Sequence, residues 1–245
     1  MSEIQPHIRF GIDDGADYAI LPGDPMRVER VRRFLKDTKD VAYNREFKTV
    51  SGFYKGVKVL VTSTGIGGPS MGIAVEELKK VGVKAMIRIG SCGALKRNIK
   101  LGDLIIATGA VRDEGTSKTY VEKGYPAVPD NFLLANIIES AKNLGFAHHC
   151  GIIRSHDSFY TDAEDDIDRF WSERGVLAAD MESAPLFVIG RLRGIKTASI
   201  LNTVVEYESS LENGINKYAN GEDSAALGEE REIITALEAI VREVG

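Results

Sequence analysis

Two arginines lie where a phosphate-sized anion could bind. Arg27 follows the turn Pro22-Gly23-Asp24-Pro25, and Arg88 interrupts the apolar run 85–89 immediately before Gly90-Ser91. The free N–H groups and the dipole at a helix start attract an anion, and a guanidinium adds charge and paired donors. Burying an arginine is unfavourable unless an anion or a carboxylate pairs with it. The two positions together favour an anion site; the alternatives are an internal salt bridge for Arg88 and a solvated helix position for Arg27.

Three other charged residues could do chemistry. Glu182 follows a predicted strand and can cap the next helix or accept hydrogen bonds from two sugar hydroxyls. Glu206 follows the apolar run 202–205 and can act as a general acid, or remain a solvated loop carboxylate beside Glu208. Arg45 can bind an anion or form a surface pair with Glu46.

The remaining motifs are individually weak. The glycine-rich segment 63–70 could form a phosphate loop, but it lacks the Gly-Lys-Ser/Thr of a Walker A motif, and a tight strand-to-helix turn fits it equally well. Phe159 and Tyr160 are either core residues or a platform for a flat ring. His7 is either a surface residue or a contact that reaches across to another site. The other three histidines form no recognisable set of metal ligands, so no metal site is predicted.

Short apolar runs and helical patterns alternate along the chain and must position these residues. The predicted strands cover 18–21, 57–61, 85–89, 104–107, 151–153, 176–179 and 196–205. A first helix begins at Pro25 with Asp24 as its N-cap, and further helices cover 73–81, 132–144, 162–173, 181–192 and 225–244. This alternation predicts one three-layer α/β/α domain over residues 1–245 with a central mixed β-sheet. In such sheets ligands bind beyond the carboxyl ends of the strands, where glycine-rich turns follow three of the runs.

Composition narrows the class of protein. The 245 residues are 43% hydrophobic and 27% charged, which is ordinary for a globular protein and excludes disordered and fibrous classes. The net charge of −5 disfavours binding to nucleic acid or to an anionic membrane, because both require a basic surface. No signal-peptide core is predicted, and no apolar run approaches the ~20 residues of a membrane span. Cys92 and Cys150 indicate reduced thiols in a cytoplasmic protein.

Seven short motifs occur in order along the chain: Pro22-Gly23-Asp24-Pro25-x-Arg27, Asn44-Arg45-Glu46-Phe47, Ser63-Thr64-Gly65-Ile66-Gly67-Gly68-Pro69-Ser70, Glu76-Glu77-Leu78, Arg88-Ile89-Gly90-Ser91-Cys92-Gly93, Phe159-Tyr160 and Met181-Glu182-Ser183. In combination they resemble the hexameric nucleoside phosphorylase family, which includes uridine phosphorylases and the bacterial-type purine nucleoside phosphorylases. The resemblance extends from His7 to the last predicted helix.

The resemblance implies a reaction in which phosphate cleaves a nucleoside to a free base and ribose 1-phosphate. Phosphate is then a co-substrate, and neither a metal nor an organic cofactor is implied. The phosphate site would comprise Gly23, Arg27, Arg88 and Ser91, with Arg45 supplied by a neighbouring subunit. Sites shared in this way imply a homo-hexamer built from dimers.

The same resemblance assigns the nucleoside contacts. The ribose would be bound by Met181, Glu182 and the His7 of a neighbouring subunit, and the base by Phe159, Cys92 and Gly93. Arg88, Glu182 and Glu206 are the predicted catalytic residues.

The identity of the base stays open at this point. Purine-cleaving members carry an aspartate after the last strand that protonates the base, and Glu206 stands there instead. Uridine phosphorylases carry a Gln-x-Arg pair in an insertion after Phe-Tyr, whereas residues 161–166 contain neither. The first half, especially 107–118, most resembles uridine phosphorylase. A uridine phosphorylase-like activity is therefore predicted, with purine nucleosides, including methylthioadenosine, as the alternative. Retention of three arginines disfavours a water-using nucleosidase and a non-catalytic nucleoside-binding protein.

Overall fold

A nine-stranded mixed β-sheet organises the residues that the computed structural model describes, 3–209 and 223–245. The strands are β1 (Tyr18–Pro22), β2 (Lys36–Asn44), β3 (Phe47–Tyr54), β4 (Val57–Thr62), β5 (Ala85–Ala94), β6 (Leu104–Asp113), β7 (His148–His156), β8 (Ala178–Asp180) and β9 (Lys196–Val205). The helices are α1 (Pro25–Arg32), α2 (Gly68–Lys80), α3 (Thr116–Tyr120), α4 (Asn131–Asn143), α5 (Glu164–Glu173), α6 (Ser183–Leu192) and α7 (Asp223–Val244).

The sheet has an open part and a closed part. Its strand order is β2-β3-β4-β1-β5-β8-β7-β6-β9, and β9 pairs a second time with β5, so the last five strands form a closed circuit. β1 lies parallel to β4 and β5, and β5 lies parallel to β9. β3 is antiparallel to both β2 and β4. The predicted mixed sheet is confirmed, but its closure depends on pairings such as Ala85 with Lys196, which local sequence does not reveal.

Helices cover both faces of the sheet and bury two apolar clusters. The first cluster includes Ala19 and Leu21 of β1 together with Phe187 of α6. The second includes Ile20 of β1 together with Leu237 of α7. Because successive residues of a strand point to opposite faces, the two clusters lie on opposite sides of the sheet. The predicted three-layer α/β/α arrangement is confirmed.

The start of α1 follows from its local sequence. Asp24 Oδ1 accepts a hydrogen bond from the Met26 N–H at 2.8 Å, and Pro25 occupies the first turn, where its missing N–H costs nothing. The predicted N-cap is therefore confirmed. This cap fixes the position of the first helical turn, which carries Arg27.

Several elements differ from those that the sequence predicts. β5 continues through Gly90-Ser91-Cys92-Gly93, which is predicted as the turn that ends it, because pairing with β9 extends to Gly93. β2, β3 and the short α3 are not predicted; much of β2 is exposed and polar, so no apolar alternation marks it. The other predicted elements are confirmed with shifted ends. Among the helices of the described ranges, none has the length and apolar character of a membrane span.

The close approach of α7 to the sheet at Gly228 predicts the effect of a substitution. A Cβ at Gly228 would lie 2.1 Å from Asn202 Oδ1 and 2.7 Å from Gly102 Cα. Alanine is favoured over glycine inside a helix by about 1 kcal/mol, but overpacking against a backbone atom costs about 1–3 kcal/mol. We expect Gly228→Ala to lower the free energy of unfolding in denaturant titrations, with the exposed Leu227→Ala as the control. A stabilised Gly228→Ala protein would contradict this packing.

Candidate active site

The predicted anion site is assembled from α1 and β5. Arg27 lies in the first turn of α1 and donates from Nη2 to Ser91 Oγ at 3.0 Å. Its Nε donates to Glu229 Oε2 at 3.0 Å, and its Nη1 lies 3.7 Å from Glu232 Oε1. Arg27 is only 4% exposed, so it is not a solvated helix residue. Two glutamates of α7 therefore lie against its guanidinium, and Glu229 pairs with it directly.

Arg88 is buried on β5 at 3% exposure. Its Nε donates to Asp180 Oδ2 at 3.0 Å and its Nη2 to Glu182 Oε2 at 2.5 Å, so an internal salt bridge is present. Its Nη1 is buried and has no hydrogen-bond acceptor among residues 3–209 and 223–245. A buried donor without an acceptor is costly, and an anion would satisfy it. We refer to Arg27, Arg88, Ser91 and Glu182 as the arginine cluster.

Asp180 and Glu182 hold Arg88 in place. Asp180 Oδ2 also accepts hydrogen bonds from the N–H and the hydroxyl of Ser183, at 3.0 and 2.7 Å. Glu182 precedes α6 without capping it, and its Oε1 accepts instead from the Gly67 N–H at 2.5 Å. Burial raises the pKa of Glu182; the charge of Arg88 opposes this, but the net shift is upward. Glu182 thus connects the turn before α2 with the guanidinium of Arg88.

Three carboxylates of this site, Asp180, Glu229 and Glu232, are not identified by the sequence interpretation. Glu229 and Glu232 lie one helical turn apart on the buried face of α7, at 4% and 0% exposure. Charged residues on an otherwise apolar helix face require partners, so this pattern in the sequence could have predicted that Glu229 and Glu232 are buried and paired. The sequence does not indicate that the partner is Arg27, which precedes Glu229 by 202 residues.

Gly23 lies in a tight turn beside Arg27. The Gly65 N–H donates to Gly23 O at 2.9 Å, and a Cβ at Gly23 would lie 3.1 Å from Gly65 O. Gly65 and Gly67 adopt φ angles of +69° and +92°, which cost glycine little. The segment 63–70 is therefore a strand-to-helix turn, and it also presents the Gly67 N–H to Glu182.

Arg45 and His7 lie near each other but outside the arginine cluster. Arg45 is exposed in the two-residue turn between β2 and β3. Asn44 Nδ2 donates to His7 O at 2.8 Å, which holds the N-terminal segment beside this turn. His7 Nδ1 lies 2.6 Å from Glu77 Oε1, and its side chain is 39% exposed. Within the described part of the chain, neither side chain forms a hydrogen bond or ion pair with the arginine cluster.

A cleft of about 790 Å³ lies beside β5 and β9. Gly93, Val205 and Phe159 line it, and this volume is within the range of small-molecule sites. Phe159 packs edge to face against Tyr160, with ring centroids 4.9 Å apart. The structure therefore brings the predicted base residues Phe159 and Gly93 to one cavity.

Cys92 and Met181 have more limited roles. The Cys92 thiol is buried and donates to Asn202 O at 3.5 Å, and burial raises its pKa, so it is an inert packing residue beside the cleft. The half-buried Met181 donates its N–H to Glu182 Oε2 at 3.3 Å. Among the described residues no group of three or more side chains could hold a metal ion.

The cleft is rich in carboxylates. Six line it, namely Asp162, Glu164, Asp165, Asp168, Glu206 and Glu208. Burial raises the pKa of Asp168 to about 6, assisted by Glu164 and Asp165 and opposed by Arg154. Glu206 is 39% exposed and lies 3.6 Å from Lys100 Nζ, which favours its interpretation as a solvated loop carboxylate.

Comparison with known proteins identifies the family to which this chain is similar. The Phosphorylase superfamily matches residues 17–233. The chain is 42% identical over 210 residues to a uridine phosphorylase of Thermococcus kodakarensis, covering 80% of this chain and 76% of that protein. It is 40% identical over 219 residues to a guanosine phosphorylase of Halorubrum lacusprofundi, covering 89% of each.

Solved structures agree with this match over the whole chain. A crystal structure of uridine phosphorylase from Vibrio fischeri ES114 has a TM-score of 0.92 and 45% identity, covering 99% of this chain and 98% of that one. Purine nucleoside phosphorylase from Toxoplasma gondii in complex with immucillin-H has a TM-score of 0.90 and 30% identity, covering 100% and 99%. The resemblance drawn from the sequence motifs is confirmed, and the chain belongs to the phosphorylase superfamily.

Proposed function

We propose that this chain catalyses the reversible cleavage of a nucleoside by inorganic phosphate to a free base and ribose 1-phosphate. The observation that carries the proposal is the buried Nη1 of Arg88, which has no acceptor within the described residues. A phosphate oxygen supplies that acceptor, and Arg27 and Ser91 supply a second charged contact and a hydroxyl. Phosphate is the co-substrate, and the proposal requires no metal or organic cofactor.

In this proposal the arginines act on the transition state. Phosphate is a poor nucleophile toward C1′, so positive charge develops on the sugar before the new bond forms. A dianion held by Arg27 and Arg88 beneath C1′ stabilises that charge electrostatically. Holding the dianion in place also removes the entropic cost of bringing phosphate to the sugar. Gly23, which carries no side chain, leaves room for phosphate beside the start of α1.

Glu182 orients the ribose. Its oxygens accept from Arg88 and Gly67, and their remaining lone pairs can accept from two sugar hydroxyls. Because Arg88 binds both this carboxylate and the phosphate, the sugar and its nucleophile are positioned relative to one another. Met181 is the further ribose contact in this proposal, because its N–H donates to Glu182 Oε2 at 3.3 Å and it therefore lies beside that carboxylate.

A second subunit completes each site in this proposal. Arg45 and His7 are solvent-accessible and lie near each other, and within residues 3–209 and 223–245 neither bonds to the arginine cluster of its own chain. Their placement fits side chains that reach a neighbour, where Arg45 would contact phosphate and His7 the 5′-hydroxyl. The assembly we propose is a homo-hexamer built from dimers.

For the base we propose uracil first. Relatives from Thermococcus kodakarensis and Vibrio fischeri are uridine phosphorylases. A uracil anion spreads its charge over two carbonyl groups, so it can leave with the help of hydrogen bonds alone. Phe159 offers an aromatic ring to the flat base.

A specific observation favours a purine nucleoside as the second candidate. A purine leaves best when N7 is protonated, which requires an acid. Asp168 lines the cleft, and its pKa of about 6 gives it a protonated population near neutral pH. The relative from Halorubrum lacusprofundi is named a guanosine phosphorylase.

The phosphate site is tested by Arg88→Lys, which keeps the charge but loses the paired donors. We expect kcat/KM for phosphate to fall at least tenfold to a hundredfold, since a charge-assisted hydrogen bond contributes about 1.5–3 kcal/mol. Arg32→Lys is the matched control.

The requirement for phosphate is tested with a panel of nucleosides. Uridine, thymidine, inosine, guanosine, adenosine and methylthioadenosine are assayed with and without phosphate, and ribose 1-phosphate is measured. Base release at the same rate without phosphate would establish a nucleosidase and refute the proposal.

The shared site is tested by mixing two variants. Arg45→Ala should raise the KM for phosphate while the melting temperature stays unchanged, because Arg45 is exposed. Hybrid dimers of one Arg45→Ala subunit and one Arg88→Lys subunit should then recover activity. One of their two sites combines the intact Arg88 of the first subunit with the intact Arg45 of the second. An active monomer by light scattering, or hybrids without recovered activity, would contradict the shared site.

The leaving-group acid is tested with two amide variants, Asp168→Asn and Glu206→Gln. If Asp168 protonates a purine, Asp168→Asn lowers purine turnover by about 10²–10⁴-fold and uridine turnover much less. Only the protonated carboxyl can donate, so wild-type purine turnover should decline as the pH rises above about 6. Glu206→Gln should change turnover little because Glu206 faces Lys100. A selective purine defect in Glu206→Gln alone would assign the acid to Glu206.

A further inference from the structure

Glu232 is a buried acid behind the arginine cluster. Its exposure is 0%. Its Oε2 accepts the Gly90 N–H at 3.1 Å, while its Oε1 lies 3.7 Å from Arg27 Nη1 and has no hydrogen-bond donor among the described residues. One carboxylate therefore contacts both the helix arginine and the strand backbone of the proposed phosphate site, and one of its oxygens is unsatisfied.

The groups that face Glu232 come from three elements. α1 contributes Arg27, β5 contributes Arg88 and the buried Cys92 thiol, and α7 itself contributes Glu229. Burial raises the pKa of Glu232 to about 8, and Glu229 adds to the rise, whereas Arg27, the Gly90 N–H and Arg88 oppose it. Glu232 therefore changes its protonation state within the pH range of ordinary assays.

When Glu229 and Glu232 are both ionised, their negative charges disfavour the binding of phosphate at Arg27. Glu229 pairs with Arg27 Nε and with Arg30, so it stays paired with arginine. Among the residues that the structure describes, Glu232 forms no hydrogen bond with an arginine, and its ionised carboxylate would compete with an arriving dianion for Arg27. Protonation removes one negative charge from the site and gives the acid an O–H donor.

We propose that Glu232 is a positioning residue that couples phosphate binding at Arg27 and Arg88 to the uptake of one proton. The proposal rests on the proposed function, because it takes the arginine cluster as the phosphate site. At high pH the empty site contains ionised Glu232, which holds Arg27 near Gly90; when the dianion binds there, Glu232 takes a proton from solvent and Arg27 turns its charge to phosphate. No covalent bond changes, and the buffer supplies the proton.

The sign of the pH effect follows from this linkage. Above a pH of about 8 the empty protein carries ionised Glu232, so each phosphate bound requires a proton from the buffer. Affinity for phosphate then falls as the pH rises, by up to tenfold per pH unit for one coupled proton. Below that range the acid is already protonated, and binding takes up no proton at Glu232.

The experiment is calorimetric titration of the whole protein with inorganic phosphate, in two buffers of different ionisation enthalpy, between roughly pH 6.5 and pH 9.5. Wild type should take up close to one proton per site at the upper end. Sulfate, whose charge is constant in this range, is the second probe and should show the same slope. Glu230→Gln, on the exposed side of the same helix, is the control and should behave as wild type.

Glu232→Gln is isosteric and permanently neutral. We expect it to lose the proton uptake and to bind about tenfold tighter than wild type near pH 9. Its affinity for sulfate should not depend on pH, and neither should its affinity for phosphate above about pH 8, where phosphate stays a dianion. A residue with only a structural role would change the affinity without changing its slope with pH. An unchanged slope in Glu232→Gln, or a wild-type protein that takes up no proton, overturns the inference. If wild type neither binds phosphate nor needs it for turnover, the proposed function fails as well, and the two failures are distinguishable.

Discussion

The guanidinium groups of Arg27 and Arg88 are buried at 4% and 3% exposure, and the arrangement of the site depends on neutralising them. Two glutamates of α7 lie against Arg27, and Asp180 and Glu182 bond to Arg88. Removing Asp180 or Glu229 would leave an arginine charge that the low-dielectric interior stabilises poorly. The pairs do not satisfy every donor, because Arg88 Nη1 remains without an acceptor in the described structure. A buried donor without an acceptor suits a site that accepts and releases an anion.

The topology brings these charges together from distant parts of the chain. β5 lies between β1 and β9, which places Arg88 beside the start of α1. β8 pairs with the end of β5, and its last residue, Asp180, and the nearby Glu182 both bond to Arg88. α7 then packs on β9 closely enough that Gly228 has no room for a Cβ. The closed circuit and the last helix therefore have one common effect, which is to fix the four carboxylates around two arginines.

The two halves of the site differ in their electrostatics. Near Ser91 two buried arginines are paired with carboxylates, whereas six carboxylates line the cleft beside Phe159. The proposed reaction develops positive charge on a sugar and negative charge on a base. It suits this division, because the arginine side would bind the dianion and protonatable acids lie on the other side. The acidic residues of the cleft also differ from the Gln-x-Arg pair by which uridine phosphorylases are identified in sequence. In the proposed reaction, discrimination between bases therefore falls to the cleft side chains of 156–169 and not to the arginine cluster.

The sequence by itself determines the local features of this protein. The Asp24 cap, the proline at the start of α1, the glycines that adopt positive φ in 63–70 and the alternating apolar runs each follow from a few neighbouring residues, and together they predict the α/β class and the anion site. The order of the motifs also indicates the family. It selects Arg27, Arg88, Ser91 and Glu182, and in the structure Arg27 bonds to Ser91 and Arg88 bonds to Glu182.

Only the tertiary structure decides which acids partner the arginines and how the sheet closes. The chain offers 36 acidic residues, and nothing near Arg27 in sequence selects Glu229 and Glu232. β2 gives no apolar alternation, and the pairing of β5 with β9 joins segments that are remote in the chain. Local propensity acts over one or two turns of chain, whereas the pairing of buried charges and strands is selected by the free energy of the whole packed core. For that reason the sequence predicts which residue types form the site, whereas only the fold shows which carboxylates pair with the arginines.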